Sequence, residues 1–284
     1  MSTEESSFTL GTAFRPDTIG DGAVRAMVGV LDAQDVAPSI ERLRAWALAA
    51  GDVQPGEVCV DVGSGTGVMT RRLAALAGPD GQAIGLEPNE MLRAVATERA
   101  AAAGSTAEFR PGLATDIPLP DASVDLVWCE RVLQHVPDPE TAIREVARVL
   151  RPGGRALLLD SDHESRVESS IDPDVAREML VAFLGQLANA RSARDIPRLA
   201  MQAGLVVDPD IGSSALVYTQ EELQDFELYR LSGDQAVAEG RITRAQADEA
   251  VRSMSEAARQ GWAFSAITVF GFVCRKPGSG TVSS

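Results

Sequence analysis

VDVGSGTG, at residues 60–67, is the stretch of sequence that decides the fold. It overlaps the end of EVCVDV (57–62), a short β-branched run with the composition of a buried parallel strand, and leads into VMTRRLAALA (68–77), which is amphipathic at helical spacing. Glycines between a strand and a helix let a ligand approach the backbone at the helix N-terminus, where N–H groups are free. The stretch therefore predicts a strand–loop–helix unit that binds a ligand.

Strand and helix patterns alternate along the next hundred residues. Short apolar runs are separated by amphipathic runs that end at glycine or proline, and this alternation predicts βαβ units in a parallel sheet. The predicted strands after the first cover 82–87, 107–112, 123–130 and 155–162, and the later predicted helices cover 89–103 and 139–150.

The regular alternation weakens after residue 162. A sixth strand is predicted at 215–219, and FSAITVFGFVCR (264–275) is an apolar, β-rich run for which antiparallel pairing with 215–219 is the economical placement. The predicted fold class is therefore α/β, with a Rossmann-like, seven-stranded, mostly parallel sheet, an antiparallel last strand and helical cap insertions.

The predicted domain organisation follows from what the minimal sheet leaves out. We expect an N-terminal cap segment at 1–37 and a single domain at 38–284, with helical lid insertions at about 163–195 and 220–260. Such insertions cover a crevice and exclude water from it.

The bulk composition excludes several classes of protein. A net charge of −15 makes nucleic acid and anionic membranes poor partners, because phosphate capture depends on Lys and Arg contacts. The three cysteines lie far apart, which fits buried free thiols in a reducing compartment, and no run reaches the ~18 apolar residues of a membrane span. The N-terminus lacks a signal-peptide pattern, so we expect a cytoplasmic protein; a homodimer is left open.

A carboxylate at the end of the second predicted strand extends the ligand site. Glu87 lies 20 residues beyond Gly67, where it is placed to accept hydrogen bonds from both hydroxyls of an adenosine ribose. A dinucleotide fingerprint would need its third glycine at Val68, and the spacing here is G-x-G-x-G. Asp61 can attract the ammonium of a sulfonium cofactor. The pattern favours S-adenosylmethionine over a dinucleotide.

Four further blocks accompany the glycine loop in a fixed order: GLEPNEML (85–92), PGLATDIPLPDASVDLV (111–127), VLQHVPDP (132–139) and REVARVLRPGGRALLLD (144–160). Over residues 38–160 the chain resembles the class I S-adenosylmethionine-dependent methyltransferases. Within that class it is similar to the group that includes quinone-biosynthesis and antibiotic-tailoring enzymes.

The resemblance implies which residues contact the cofactor. Leu113 and Ala114 stand where the family usually carries Asp-Ala against the adenine, so Asp116, a backbone carbonyl or a more apolar contact would replace the family's aspartate. Cys129 and Glu130 would face the sulfonium and the substrate. The implied cofactor-binding residues are Asp61, Gly63, Gly65, Gly67, Glu87, Pro88, Leu113, Ala114, Cys129 and Glu130.

The chain has only two histidines, and each follows a predicted strand whose end opens toward the ligand crevice. We hypothesise that His135 or His163 is a catalytic base; the alternative is that His135 only closes a turn. Asp160, Asp162, His163 and Glu164 form an acidic cluster that is interpreted as a solvated turn, and no metal is expected.

Apolar side chains of the predicted insertions have two interpretations. They could line a pocket for an apolar or aromatic acceptor, or they could be plain core. The residues concerned are Met179, Phe183, Leu187, Phe226, Tyr229, Leu231 and Trp262.

The predicted function is methylation of a small molecule, a secondary metabolite or quinone-like compound, with oxygen favoured over carbon as the target atom. Two alternatives are carried beside it. One is a pericyclase that uses the sulfonium only as a fixed charge. The other is a dehydrogenase on the same fold, which Val68 and the downstream blocks disfavour.

Overall fold

The computed structural model describes residues 21–278, with side chains from residue 28 onward. The first part of the predicted 1–37 cap segment, residues 1–20, lies outside the described residues. Its second part is a helix, α1 (Asp21–Asp35), followed by α2 (Pro38–Gly51).

The glycine loop lies between a strand and a helix, as predicted. β1 (Val58–Val62) precedes it and α3 (Val68–Ala77) follows it. The next units are β2 (Gln82–Leu86), α4 (Glu90–Ala102), β3 (Glu108–Arg110), β4 (Val124–Glu130), a 3-10 turn (Leu133–His135), α5 (Pro139–Val149) and β5 (Leu150–Glu168).

The second half of the chain is mostly helical. It contains α6 (Pro173–Leu184), α7 (Ser192–Gln202), β6 (Val206–Val207), β7 (Gly212–Val217), α8 (Gln220–Gln224), α9 (Glu227–Ala238), α10 (Arg244–Arg259) and β8 (Ser265–Arg275).

The sheet has the order β3-β2-β1-β4-β5-β8-β6, with β7 also paired to β8. β1 to β5 are parallel, and β8 is antiparallel to β5, β6 and β7, which confirms the predicted Rossmann-like α/β class and the antiparallel last strand. The described sheet has eight strands where seven were predicted. The additional strand is β6, whose two residues are too few to show a pattern.

Two apolar layers enclose the sheet. One contains Val62, Leu158 and Ile143 of α5, and the other contains Trp128, Leu157 and residues of α2 and α3. Helices α6, α8, α9 and α10 share a third apolar cluster of their own. These helices fall within the two predicted insertions.

β5 runs well past the predicted end at residue 162, because β8 pairs with it as far as Glu168. The interpretation of 160–164 as a solvated turn is wrong: Asp160, Asp162 and His163 are buried within this strand. Between the pairs Asp162–Thr268 and Val167–Ala266, residues 163–166 of β5 stand opposite Ile267 alone. This is an enlarged β-bulge, with four residues opposite one.

Every helix within residues 21–278 is too short or too polar to cross a lipid bilayer.

Candidate active site

A cavity of about 520 Å³ opens at the carboxyl ends of β1, β2, β4 and β5. This is where open α/β sheets bind their ligands, and the volume is in the usual range for a small-molecule site. α1 closes one side through Val30, Leu31 and Gln34. The glycine loop, Glu87 and Glu130 border the cavity on the other side.

The glycine loop lies against the cavity at its first two glycines. Gly63 and Gly65 both line it, in left-handed conformations with φ of 72° and 52°. A Cβ on Gly65 would meet only Leu31, at 3.5 Å, so the space beside it is open. Gly67 is different: a Cβ there would lie 2.5 Å from the Phe109 ring. Gly67 does not line the cavity, and its lack of a side chain makes room for Phe109 of β3; its predicted contact with the cofactor stays a prediction.

Glu87 is fixed at the cavity wall by the loop that it faces. One carboxylate oxygen accepts the Gly65 N–H and the other the Asn89 N–H, each at 3.0 Å. The residue is 7% exposed, and burial raises the pKa of the carboxyl from its ordinary value. Each oxygen has a second lone pair, so the carboxylate can still accept two hydroxyl groups.

The predicted adenine region is apolar. Pro88, Leu113 and Ala114 line the cavity with Leu92. Asp116 does not line it, and its backbone N–H donates to the Leu113 carbonyl in a tight turn. Of the replacements expected for the family's aspartate, the apolar contact is the one that these residues provide.

Asp61 borders a small recess of about 60 Å³ that adjoins the glycine loop and shares Gly63, Gly65 and Glu130 with the main cavity. Its carboxylate accepts a hydrogen bond of 2.7 Å from the Thr70 hydroxyl. Burial raises the pKa of Asp61 to about 7, against the lowering effects of the Thr70 hydrogen bond and the Arg44 charge, so a cation in the recess would stabilise its ionised form.

Glu130 and Cys129 point to opposite faces of β4. Glu130 lines the cavity and accepts from Arg44 Nε at 2.8 Å and Trp128 Nε1 at 3.3 Å. Burial alone would raise its pKa, but Arg44 and Arg131 hold it below the ordinary value. Cys129 is 3% exposed and belongs to the apolar core. Successive strand residues alternate between faces, so the Cys129 side chain points into the core, and its predicted place near the sulfonium and the substrate stays a prediction.

The two histidines lie in the cavity wall and are bridged by Gln134. The Gln134 amide nitrogen lies 2.9 Å from His135 Nε2 and donates to the Arg131 carbonyl at 3.2 Å, while its oxygen lies 2.7 Å from His163 Nε2. The carbonyl fixes the amide orientation. His135 Nε2 therefore accepts, His163 Nε2 carries a hydrogen, and Nδ1 of His163 is left as a buried acceptor with no hydrogen-bond partner.

Both imidazoles are neutral at ordinary pH. Burial and the Arg131 charge lower the pKa of His135 to about 4. Burial, then the Arg166 and His135 charges, lower the pKa of His163 to about 3. A neutral imidazole with a free lone pair can accept a proton.

The bulge in β5 places His163 and Arg166 in the cavity wall together. Ser165 completes the interrupted ladder, because its hydroxyl accepts from the Thr268 N–H at 2.8 Å and donates to the Asp162 carbonyl at 2.6 Å. Bulges commonly re-aim side chains beside active sites.

The apolar side chains of the insertions divide between cavity and core. Phe183 and Leu187 line the cavity. Met179 and Tyr229 lie in the third apolar cluster, shared by α6, α8, α9 and α10, and Phe226 packs against that cluster. Trp262 is 57% exposed. Cys59, Cys129 and Cys274 are buried free thiols, as expected. Among the side chains that the structure describes, no three His, Cys, Asp or Glu converge as a metal site.

Comparison with known proteins shows that this chain is similar to methyltransferases. Residues 60–158 match the family model described as methyltransferase domain. Over 133 residues, the chain is 33% identical to the demethylmenaquinone methyltransferase of Bacillus cytotoxicus, covering 45% of this chain and 56% of that protein. The chain spans about half the length of most curated relatives that it matches.

Solved structures confirm the fold. A SAM dependent methyltransferase from Aquifex aeolicus matches with a TM-score of 0.52 at 15% identity, covering 89% of this chain and 99% of that one. The [4+2]-cyclase SpnF matches with a TM-score of 0.52 at 19% identity, over 84% and 81%. The resemblance seen in the motifs is confirmed: residues 60–158 match a methyltransferase-domain model, and the chain is similar to quinone-biosynthesis methyltransferases.

Four polar residues of the site escaped sequence reasoning: Arg44, Arg131, Gln134 and Arg166. Gln134 stands between two predicted features, the strand end at Glu130 and His135, which is the one signal that could have drawn attention to it. Arg44 reaches the site through Glu130, 86 residues away, and the rings that contact Arg166 belong to other segments, so neither arginine carries a local signal.

Proposed function

We propose that this chain transfers the methyl group of S-adenosylmethionine to an oxygen atom of a small, secondary-metabolite or quinone-like acceptor. The observation that carries the proposal is the joint placement of the glycine loop and the Glu87 carboxylate at one cavity wall.

The residues present fit the cofactor. Glu87 has lone pairs for the ribose hydroxyls, Pro88, Leu113 and Ala114 offer an apolar surface for the adenine, and Asp61 offers a carboxylate for the ammonium. When bound there, S-adenosylmethionine supplies an already activated methyl group. What the protein must add is alignment of the acceptor, which can be worth up to ~7–11 kcal/mol.

The rest of the cavity suits a small acceptor. Its walls beyond the glycine loop include Phe183, Leu187, Leu216 and Leu228, which would hold an apolar or aromatic body. Of the two predicted bases, His163 is the better proposal, since its Nδ1 lone pair has no partner whereas His135 Nε2 receives the Gln134 amide. A placed base contributes about 10²–10⁴-fold to proton removal from a hydroxyl.

The proposal is tested in two steps. Calorimetry should show binding of S-adenosylmethionine and S-adenosylhomocysteine and no binding of NADH. If neither adenosyl compound binds, the proposal is refuted. Incubation with hydroxylated aromatic acceptors and a ¹³C-methyl-labelled cofactor should then yield S-adenosylhomocysteine and an O-methyl resonance. A C-methyl resonance would move the target atom to carbon. Acceptor turnover without S-adenosylhomocysteine would favour cofactor-assisted cyclisation.

Cytoplasmic localisation, an acceptor other than nucleic acid, and a homodimer stay predictions from the sequence.

A further inference from the structure

One arginine of the cavity wall has no carboxylate within ion-pair distance among the described residues. Arg166, in the β5 bulge, lines the cavity and makes no ion pair within the described part of the chain. Its Nε and Nη2 atoms are buried and have no hydrogen-bond partner. A desolvated cationic group without partners is costly to maintain, which calls for an explanation.

Aromatic rings hold the guanidinium in place without satisfying those donors. Its carbon lies 4.6 Å from the Phe183 ring centre and 6.0 Å from that of Tyr229. Such stacking fixes the plane of the group and leaves its edge free. Nε and Nη2 share one edge of the guanidinium, and two parallel N–H groups on that edge match the two oxygens of a carboxylate.

The nearby acids are engaged elsewhere. Glu168 accepts the Tyr229 hydroxyl and lies beyond ion-pair distance of Arg166, although the Arg166 charge lowers its pKa against the larger rise that burial causes. Glu130 is paired with Arg44, and Glu87 accepts two backbone N–H groups. The cavity therefore keeps a positive charge at its acceptor end.

We propose that Arg166 binds a carboxylate on the acceptor, so that the acceptor class is a small hydroxylated aromatic or apolar acid. This inference rests on the proposed function, because it assigns the acceptor part of the same cavity. Phe183 and Leu187 would contact the acceptor's apolar body, while its hydroxyl group would lie toward His163.

The electrostatics of the bulge agree with this assignment. The Arg166 charge is one of the causes that lower the pKa of His163, after burial. A bound carboxylate would offset that charge and raise the pKa of His163 again. The acceptor's own acid group would thus make the neighbouring imidazole a better proton acceptor.

Matched probes test the inference. Protein saturated with S-adenosylhomocysteine is titrated in a calorimeter with 4-hydroxybenzoate and 6-hydroxy-2-naphthoate, and with the corresponding neutral amides. We expect at least one acid to bind about tenfold or more tightly than its amide, the discrimination typical of hydrogen bonds to charged groups. In Arg166→Met this preference should disappear, with amide affinity within about twofold of wild type, and Arg166→Lys should keep part of it.

The matched control is Arg177→Gln, which removes an exposed, ion-paired arginine of α6 and should behave as wild type. Equal affinities for acid and amide in the wild-type protein, failure of both acids to bind, or an acid preference that survives in Arg166→Met would each overturn the inference. If the wild-type protein does not bind S-adenosylhomocysteine at all, that is a separate result, which would refute the proposed function itself.

Discussion

The Gln134 side-chain oxygen lies 2.7 Å from Nε2 of His163, and this contact determines which nitrogen of the histidine is free. Since Nε2 must donate to that oxygen, Nδ1 holds the lone pair. We expect His163→Ala to lower turnover by about 10²–10⁴-fold while the dissociation constant of S-adenosylhomocysteine is unchanged, because a base is lost and the cofactor wall is intact. Arg177→Gln, at an exposed position on α6, is the control and should keep wild-type turnover. Full turnover in His163→Ala would remove that residue from the mechanism.

Gln134 acts through His163, so its removal should show in the histidine itself. In Gln134→Leu we expect ¹⁵N-edited NMR to report a mixture of His163 tautomers where the wild-type protein shows only the Nε2–H form. Turnover should fall with it. A single unchanged tautomer in the variant would show that another contact holds the ring.

Both histidines should stay neutral across the physiological range. Their pKa values lie near 4 and near 3, lowered first by burial, so neither resonance should shift in an NMR titration between pH 6 and pH 8. Because the Arg166 charge contributes to the shift at His163, Arg166→Met should raise the pKa of that residue. A histidine that titrates near pH 6.5 in the wild-type protein would contradict this reading of its burial.

Replacing Glu87 with Gln should weaken cofactor binding selectively. The amide keeps the volume but loses one acceptor atom and the charge, so we expect the dissociation constant for S-adenosylhomocysteine to rise about tenfold to a hundredfold. Glu98→Gln, at an exposed position on α4, is the control and should leave binding unchanged. Wild-type affinity in Glu87→Gln would show that Glu87 does not contact the ribose.

Two glycines of the same loop should respond differently to alanine. Gly67→Ala places a methyl 2.5 Å from Phe109 on a backbone with φ of 78°, so it should cost about 2–5 kcal/mol of unfolding free energy through overpacking and the left-handed conformation together. Gly65→Ala meets only Leu31 at 3.5 Å and should cost about 1–2 kcal/mol for its left-handed backbone, yet it should weaken cofactor binding more. Calorimetry beside denaturant melts separates the two effects. The reverse ranking of affinities would place Gly67, and not Gly65, at the cofactor.

Asp61 should make stability depend on pH. Burial raises its folded-state pKa from 3.8 to about 7, so folding favours the protonated acid. Its contribution to stability is fully present below about pH 4 and is lost as the pH rises through 7. Asp61→Asn removes that contribution, and the gap between the melting temperatures at pH 5 and pH 8 should narrow. Part of the pH dependence should persist in this variant, because burial also raises the pKa of Asp160 to about 7.

The sequence predicted those parts of the site that neighbours along the chain specify. The loop at 60–67 and the carboxylate at 87 follow strands whose apolar composition marks them, so their meeting at one sheet edge could be inferred. The orientation of the Cys129 side chain away from the cavity was not predicted, because the resemblance places Cys129 and Glu130 together, whereas strand alternation allows only one of two adjacent side chains to face the cavity. The packing role of Gly67 was not predicted either, because its close neighbour, Phe109, lies on β3.

Long-range pairing explains the remaining differences. The polar residues at 160–164 look like a turn when only neighbours are considered, but β8, more than 100 residues later, extends β5 through them. The same pairing creates the bulge that brings His163 and Arg166 to the cavity. Arg44 pairs with Glu130, which is 86 residues away in sequence, so no local pattern predicts the contact.

The bulge at residues 163–166 also fixes the backbone spacing between His163 and Arg166. Three backbone steps separate the imidazole from the guanidinium, and Ser165 ties the segment between them to Thr268. Under the proposed assignment, the backbone of residues 163–166 limits the span between the hydroxyl that loses a proton and the carboxylate of a bound acceptor. Compounds that carry both groups at a different spacing would be discriminated against by length, whatever their hydrophobicity.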